Sequence, residues 1–319
     1  MSDSPRRIFR VTESDDGRTL GDFLVRRCPE APVGFLNRLI RQGFARVSRE
    51  PADRKRRLRA GERVALRLPP GSFLVAPNPN VPLEIVYEDD ALVVLNKAAG
   101  VVSEPGIGHK LDTVLNGLVA RYGEAQDRLG PARDFGMAHR LDRDTSGLLV
   151  AARTAAVQRA LAGQFRRREV EKRYLALAVG RVADDRGEIR LPLRRVRRRG
   201  RAIAVAGGPG AAFATTAFRI LERFPDATFL EAPPRTGRWR QVRVHLAATG
   251  HPVAGDRDEG DTPENSALCR RIGLQRMFLH AARLRFRHPV TDRTMQMEAP
   301  LPRPLQEALE TLRRQALAS

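Results

Sequence analysis

The sequence has few of the features that mark secreted or membrane proteins. Its 319 residues include two cysteines, Cys28 and Cys269, which show no metal-ligand spacing. A disulfide framework is therefore not expected, and two reduced thiols are typical of a cytoplasmic protein. The first residues lack the apolar segment of a secretory signal, and no apolar run approaches the roughly 20 residues that span a bilayer. We expect a cytoplasmic protein with no membrane partner, and we find no internal repeat.

Acidic residues are scarce relative to basic ones, and the positive charge is clustered. The chain has 57 Lys and Arg against 37 Asp and Glu, which gives a formal net charge of +20. Arginine is concentrated at residues 54–59 and 194–201, which disfavours the alternative of a chain whose basic residues are merely solvated. Such an excess attracts polyanions, because phosphate binding releases condensed counterions and the guanidinium fork matches phosphate geometry. Charge alone does not distinguish RNA from DNA or anionic lipid.

The length and a hydrophobic content of 42% predict two packed domains. In the first 75 residues, apolar side chains at helical spacing predict short helices around residues 20–24 and 36–40. Alternating residues predict strands at 44–47 and 63–68. A proline-rich connector between Pro69 and Pro82 marks the boundary. We place the domains at 1–75 and 76–319.

From residue 83 onward, strand-like and helical segments alternate. Strands are predicted at 83–87, 92–95, 174–179, 213–221 and 227–232, and helices at 112–122, 154–169, 240–249 and 302–314. Residues 96–100 are predicted to form a loop. Because full crossover helices do not separate all the strands, the pattern favours an α+β domain with a mixed, mainly antiparallel sheet.

The most informative segment is residues 139–149, His-Arg-Leu-Asp-Arg-Asp-Thr-Ser-Gly-Leu-Leu. It places Asp142 in a loop just before the apolar run 148–152, which predicts a buried strand. A loop carries the reactive group and a rigid strand holds it, so Asp142 is well placed for chemistry on a bound group. The alternative is that Asp142 caps a turn while Arg140 pairs with Asp144.

These eleven residues resemble the signature of the RluA-type pseudouridine synthases, and further blocks of that family follow in order between about residues 83 and 312. The blocks are Tyr87-Glu88-Asp89, Asn96-Lys97, Lys172 with Tyr174, Thr236-Gly237-Arg238 with Gln241 and Arg243, Gly250-His251-Pro252 with Gly255-Asp256, Leu279-His280-Ala281 and His288-Pro289-Val290-Thr291. The chain departs from the pattern at Ala98, Arg240 and Glu259, where the family has Pro, His and Tyr. These departures bear on the RNA target. The resemblance implies the pseudouridine synthase fold and an RNA pseudouridine synthase, which is an isomerase.

The first 75 residues are similar to a small α/β domain, the S4-like RNA-binding domain. Residues 18–24 and 39–43 fit that pattern, and the basic residues 54–59 stand where the family has an Asn-Gly-Lys turn. The alternative is a generic helical cap with a solvated face.

The resemblance implies that Asp142 is the essential carboxylate, acting as a nucleophile or as a base on the sugar. It implies that Arg243 keeps Asp142 ionised, although an RNA-phosphate contact is the alternative for an arginine. Tyr174 would stack on the uracil, or it is an ordinary half-buried strand residue. Arg140 would fill the space left by an extruded nucleotide, with a salt bridge to Asp144 as its alternative.

The remaining substrate-binding candidates belong to the same motifs. They are His139, Thr145, Gly147, Lys172, Arg238, Gln241 and Leu246. We expect no cofactor, because the isomerisation involves no redox change. We also expect no metal, because the other histidines lack ligand spacing and the acidic segments 89–90 and 256–261 are typical of solvated loops.

The expected partner is structured RNA, and the expected state is a monomer. The additional RNA-binding module favours large-subunit ribosomal RNA over transfer RNA, which is the alternative. A non-catalytic RNA-binding or ribosome-assembly factor is a hypothesis from another class, and the presence of Asp142, Tyr174 and Arg243 together argues against it. A DNA-binding regulator is disfavoured, because the sequence shows no recognition-helix motif and no dimerisation heptads.

Overall fold

The computed structural model describes residues 6–28, 31, 33–67, 75–106, 108–127, 129–198 and 201–318. The chain divides into two compact units, one of Met1–Val81, Pro105–Met137 and Arg153–Ala155, the other of Pro82–Glu104, Ala138–Ala152 and Ala156–Ser319. Residues 105–137 thus group with the first unit, whereas the sequence analysis assigned them to the second domain. The domain boundary at residue 75 stays a prediction. Residues 68–74 of the proline-rich connector lie outside the described part.

The first unit contains a four-stranded antiparallel sheet and two short helices. The strands are β1 (Arg6–Arg10), β2 (Ala45–Val47), β3 (Glu50–Pro51) and β4 (Arg63–Arg67), and the helices are α1 (Leu20–Arg27) and α2 (Val33–Arg41). The strand order in the sheet is β1-β4-β2-β3. The Thr19 hydroxyl caps α1 by accepting the Asp22 backbone N–H. Phe23, Leu36 and Leu66 pack in one apolar core. The predicted helices and the two predicted strands are confirmed, while β1 and the two-residue β3 were missed.

Two more helices of this unit lie further along the chain, α3 (Val114–Tyr122) and α4 (Glu124–Asp127). The first confirms the helix predicted at 112–122. It begins at a capping box in which Thr113 and Asn116 satisfy each other's backbone N–H groups.

The second unit is built on a nine-stranded mixed sheet. Its strands are β5 (Ile85–Glu88), β6 (Leu92–Lys97), β7 (Ser146–Ala152), β8 (Glu171–Val179), β9 (Arg186–Arg190), β12 (Thr215–Arg223), β13 (Ala227–Ala232), β14 (Leu279–Arg287) and β15 (Thr294–Glu298), and a separate hairpin joins β10 (Leu193–Arg198) to β11 (Arg201–Ala206). The order is β5-β6-β7-β14-β8-β13-β12-β9, with β15 also paired to β14. Only the β7–β14 pair in this described sheet is parallel. The α+β class with a mainly antiparallel sheet is confirmed.

Four helices complete the second unit: α5 (Ala155–Arg167), α6 (Gln241–Ala248), α7 (Pro263–Arg271) and α8 (Arg303–Leu317). Helix α8 contributes Leu305 and Leu309 to the apolar core that contains Phe278, and α6 contributes Val242 to the core that contains Leu230 of β13. Among the described residues, no helix is long and apolar enough to cross a bilayer.

One local prediction needs correction, and several elements were missed. Asn96 and Lys97 were expected in a loop but end strand β6, where the buried Lys97 ammonium binds backbone carbonyls. The basic cluster at 194–201 was treated only as a concentration of charge, but its described members, residues 194–198 and 201, belong to the paired strands β10 and β11. Strands β9, β14 and β15 and helix α7 were not predicted, because their alternating arginines or polar residues mask the apolar pattern.

Candidate active site

A pocket of about 970 Å³ lies in the second unit, beside the loop that precedes β7. Most of the site residues inferred from the sequence line it, namely His139, Arg140, Asp142, Thr145, Lys172, Tyr174, Arg238, Gln241 and Arg243. They come from three separate stretches of chain: the loop before β7, strand β8, and the loop and first turn of α6. The fold therefore brings together motifs that are far apart in sequence.

The loop that carries Asp142 is held at three places, one before Asp142 and two after it. The Ser103 hydroxyl donates to the Leu141 carbonyl (2.8 Å) and accepts the Leu141 N–H. The Lys97 ammonium donates to the Arg143 carbonyl at 3.0 Å, and Arg276 donates to the Asp144 carbonyl at 3.2 Å. Because the partners are side chains anchored outside the loop, the Asp142 carboxylate is held in one place rather than left to a flexible loop.

Arg243 is the cation beside Asp142. It projects from α6, its side chain is 6% exposed, and its Nη1 donates to Asp142 Oδ2 at 2.9 Å. Burial acts against the charged form of Arg243, but hydrogen bonds and charges from Asp256 and Asp142 outweigh that effect and raise its pKa. The guanidinium is therefore charged, and it places that positive charge directly beside the Asp142 carboxylate.

Asp256 holds the other side of Arg243. Its carboxylate accepts from Nε at 2.6 Å and from Nη2 at 2.7 Å, and it also accepts the backbone N–H groups of Asp258 and Glu259. Burial by itself would raise the pKa of Asp256, but these hydrogen bonds and the charge of Arg243 hold that pKa below its ordinary value. The interpretation of residues 256–261 as a solvated loop is wrong at Asp256, which is 3% exposed.

Tyr174 and Lys172 project from β8 into the same pocket. Burial and the charge of Asp142 raise the pKa of Tyr174, so the phenol keeps its proton at neutral pH. Burial lowers the pKa of Lys172 to about 8. Within the described part of the chain, neither the phenol hydroxyl nor this ammonium has a hydrogen-bond partner. Both polar groups are therefore available to a bound molecule.

Two of the lining residues are already engaged within the protein. Gln241 is buried, and its amide joins Thr236, the Arg238 backbone and Thr216, which fixes the loop before α6. The Val150 N–H donates to Nε2 of His139, and burial, with the charges of Lys172 and Arg140, lowers the pKa of His139 to about 3. Both residues shape the pocket wall, and His139 remains neutral.

The structure also shows where three further residues named in the sequence analysis lie. Arg140 pairs with Glu104 at 3.0 Å, and Asp144 pairs instead with Arg143, so the proposed Arg140–Asp144 bridge is wrong. Gly147 does not line the pocket, because it lies where β7 meets Ala281 of β14. Leu246 packs in the apolar core.

The histidines outside the catalytic motif have structural partners. His245 is hydrogen-bonded to Thr216, and His251 is hydrogen-bonded to the Val179 carbonyl. His280 is hydrogen-bonded to the Ser146 hydroxyl, and His288 is hydrogen-bonded to the Asp89 carboxylate. Asp89 also accepts from the Tyr87 hydroxyl and two backbone N–H groups. In the described ranges, no group of three or more His, Cys, Asp or Glu side chains is arranged to hold a metal ion.

Comparison with known proteins identifies the family. The profile described as RNA pseudouridylate synthase matches residues 91–248. The ribosomal large subunit pseudouridine synthase C of Vibrio vulnificus (strain CMCP6) is 34% identical over 318 residues, and the alignment covers 96% of each chain. The chain belongs to the RNA pseudouridylate synthase family. It is therefore an isomerase that acts on RNA, and the hypotheses of a non-catalytic factor and of a DNA-binding regulator are wrong.

Other members of the family are equally similar. The synthase C of Escherichia coli (strain K12) is 34% identical, with 96% of this chain and 97% of the relative aligned. The ribosomal large subunit pseudouridine synthase D of Xanthomonas campestris pv. campestris is 34% identical, with 98% and 94% aligned. The solved structure of human RNA pseudouridylate synthase domain containing 1 is 28% identical with a TM-score of 0.54, and the match covers 75% of this chain and 98% of that one.

Some residues in or next to the site escaped the sequence analysis. Asp256 was named within a Gly-Asp block of the family pattern and within the acidic segment 256–261, and its place in that block was a usable signal. Trp239 follows Arg238 directly, and Arg195 comes from the β10–β11 hairpin. No local pattern predicts that those two meet, because they are brought together only by the fold.

Proposed function

We propose that this enzyme isomerises specific uridines of large-subunit ribosomal RNA to pseudouridine, with Asp142 as its essential carboxylate. The observation that carries the proposal is the Asp142 carboxylate held 2.9 Å from the buried Arg243 guanidinium within the pocket. Relatives that align over nearly the whole chain are named ribosomal large subunit pseudouridine synthases C and D, which supports the choice of RNA.

The reaction needs few ionisable groups. The bond from the sugar carbon C1′ to N1 of uracil breaks, and a bond from C1′ to C5 forms. The C5 proton is released and N1 is protonated, so no oxidant or reductant is consumed. A carboxylate beside the sugar serves as the nucleophile at C1′ or as a base on the sugar. Asp142 is the less exposed of the two pocket carboxylates that contact Arg243, and it fits either role.

The neighbouring groups have roles that follow from their surroundings. Tyr174 is a neutral phenol, so it stacks on the uracil and offers a hydroxyl near C5 rather than a phenolate. Arg140 fills the space that the displaced nucleotide leaves in the RNA, Lys172 supplies positive charge for its phosphates, and Arg238 extends that charge along the loop before α6. Glu104 holds Arg140 in the free enzyme, so RNA must compete for it.

The N-terminal residues 1–75 form an S4-like RNA-binding domain in this proposal. The short helices α1 and α2 followed by small strands support it, as do the exposed Arg54, Lys55 and Arg59. Arg56 belongs to the same basic cluster but pairs in a bidentate way with Glu62 (2.9 and 2.7 Å). We further propose a cytoplasmic monomer, which light scattering on the purified protein and cell fractionation will check.

Replacing Asp142 by Asn tests the central assignment, because the substitution keeps the shape and removes the charge. We expect no pseudouridine in a large-subunit ribosomal RNA transcript incubated with Asp142→Asn, with RNA affinity close to that of the wild type. Measurable turnover by the purified variant would refute the role of Asp142. Transfer RNA transcripts run in parallel decide between the two RNA classes: pseudouridine in transfer RNA alone would refute the ribosomal target.

A further inference from the structure

The pocket has an aromatic group at its rim that the mechanism does not use. Trp239 is the only tryptophan of the chain, and 38% of it is exposed. It lies in the loop between Arg238 and α6 and lines the same pocket as Asp142. An exposed tryptophan beside a polyanion-binding pocket presents a large flat surface on which a nucleic-acid base can stack.

Two arginines flank the indole ring. The guanidinium carbons of Arg195 and Arg240 lie 4.8 Å and 4.7 Å from its centroid, within the range of cation–π attraction. The two arginines differ in their other partners. Arg240 pairs with Asp258 at 2.7 Å and Glu259 at 3.1 Å, whereas Arg195 makes no hydrogen bond or ion pair with any described residue.

This difference determines which of the two arginines a bound base can displace from the indole ring. Arg240 is held by two carboxylates, so its charge is compensated and its position is fixed. Arg195 is held to the ring only by stacking, so a base can replace it on the indole at little cost. The displaced guanidinium then has all its N–H donors available for a phosphate.

We propose that Trp239 and Arg195 form a binding site for the nucleotide next to the target uridine: its base stacks on the indole and Arg195 binds its phosphate. The target itself must reach Asp142 and Tyr174, which are less exposed than Trp239. A pocket of about 970 Å³ is at the upper end of the range for sites that enclose a drug-sized ligand, which leaves room for part of a neighbouring nucleotide.

The binding site at Trp239 and Arg195 rests on the proposed function only in taking RNA as the substrate. It implies that the base beside the target uridine is unpaired or becomes unpaired on binding, because a base inside a helix cannot stack on a side chain.

Tryptophan fluorescence tests the stacking directly, because the signal comes from Trp239 alone. The wild-type protein is titrated with pentauridylate RNA and with a pentamer of the same charge whose residues lack bases. We expect saturable quenching by pentauridylate and much weaker binding of the abasic pentamer. Unchanged fluorescence, no binding of pentauridylate, or equal affinities for the two pentamers would each overturn the proposal.

Substitutions separate the base contact from the phosphate contact. Trp239→Ala should weaken binding of pentauridylate and raise KM for the RNA substrate roughly 5-fold to 100-fold, which is the usual effect of losing one base–aromatic stack. Trp239→Phe should recover most of that loss. Arg195→Gln should reduce the salt dependence of binding by about one phosphate contact. Arg303→Gln removes the same charge from an exposed position on α8 and serves as the matched control.

The outcomes distinguish this proposal from the proposed function. If the wild type forms pseudouridine but Trp239→Ala has an unchanged KM and unchanged melting temperature, the stacking site is refuted and the enzyme assignment stands. If no ribosomal RNA is modified but pentauridylate quenches Trp239 and Trp239→Ala binds it weakly, the stacking site stands and the ribosomal target fails. A loss of kcat at saturating RNA with unchanged KM would refute a binding role for Trp239.

Discussion

Arg243 bonds three carboxylates. Nη1 binds Asp142, while Nε and Nη2 bind Asp256, whose side chain is buried. Nη2 also contacts the exposed Asp258 at 3.2 Å. The bidentate pair fixes the plane and position of the guanidinium and so decides where Nη1 meets Asp142. Asp256 is therefore a positioning residue, acting on the reaction through Arg243.

Asp256→Asn should lower kcat while leaving RNA affinity nearly unchanged, because Asp256 lies behind Arg243. Loss of one partner from a buried ion pair should also destabilise the protein by about 3–5 kcal/mol. The stabilising effect of Asp256 in the wild type is present at neutral pH and is lost as the pH falls through its lowered pKa.

Asp258→Asn is the matched control, since Asp258 also contacts Arg243, at 3.2 Å, but its side chain is 54% exposed. An exposed pair contributes about 0–1 kcal/mol, so this variant should keep its kcat and its stability. Chemical denaturation and single-turnover kinetics give both quantities. Equal effects of the two substitutions would show that Asp256 has no special positioning role.

Lys172 should make RNA binding depend on pH. Burial lowers its pKa to about 8, so its charge is present at pH 7 and lost as the pH rises through about 8. RNA affinity of the wild type should fall over that interval. Lys172→Arg keeps its charge and should show no such fall, and Lys172→Gln should bind weakly throughout. A wild-type profile that matches Lys172→Arg would show that Lys172 does not contact RNA through its charge.

The lowered pKa of Lys172 affects the stability of the fold in the opposite direction from RNA binding as the pH rises. The folded pKa of Lys172 lies below its ordinary value of 10.5, so the unfolded chain binds the proton more tightly. The contribution of Lys172 to stability should therefore rise between about pH 8 and 10.5, while its contribution to RNA binding falls.

Strand β7 directly follows the Asp142 loop and anchors it to the sheet. The first residues of β7 lie unusually close to the backbone of β14. Gly147 has a φ of 112°, and a Cβ there would lie 2.3 Å from the Ala281 carbonyl oxygen. The side-chain hydrogen of glycine is what allows this parallel pair to form.

Gly147→Ala should destabilise the protein by at least about 1–3 kcal/mol, because the backbone strands must separate to admit a methyl group. Gly250→Ala is the matched control: its φ is 82°, but no atom lies within 4 Å of the added carbon. That variant should show only the strain of a left-handed alanine, about 1–2 kcal/mol. Thermal unfolding compares the two, and a smaller loss for Gly147→Ala would contradict the close approach.

At the scale of the whole molecule, we expect the N-terminal domain to add affinity without changing the chemistry. A protein that begins at Val75 keeps the hydrogen bonds of Val75 to Asp127 and of Ala76 to Asn116. The described members of the apolar core around Phe23 lie between residues 9 and 66, so this core is removed as a whole although residues 105–137 of the first unit remain. The shortened protein should therefore fold and should bind ribosomal RNA more weakly. The dependence of log affinity on log salt should become shallower, by about 0.7–0.9 for each phosphate that the shortened protein no longer binds. Turnover at saturating RNA should fall much less than affinity.

A charge variant of the full chain provides the control for that truncation. Lys55 and Arg59 are exposed, so changing both to Gln should reduce the salt slope without affecting folding. Salt slopes equal to the wild type in both proteins would show that residues 1–75 do not bind RNA.

The sequence alone was sufficient where the determinants are local. Residues 139–149 contain both the reactive carboxylate and the start of the strand that supports it, and the spacing of apolar residues located most helices. The same applies to α6 (Gln241–Ala248), which confirms the helix predicted at 240–249.

Tertiary structure decided what depends on residues that are distant along the chain. Arg243 meets Asp142 across 101 positions of sequence, and Trp239 meets Arg195 through a hairpin whose arginines obscure its strands. An acidic residue such as Asp256 looks the same in the sequence whether it is solvated or buried. Only the fold determines how exposed its carboxylate is and which cation lies beside it. Exposure and partner together set the free energy of the charged carboxylate.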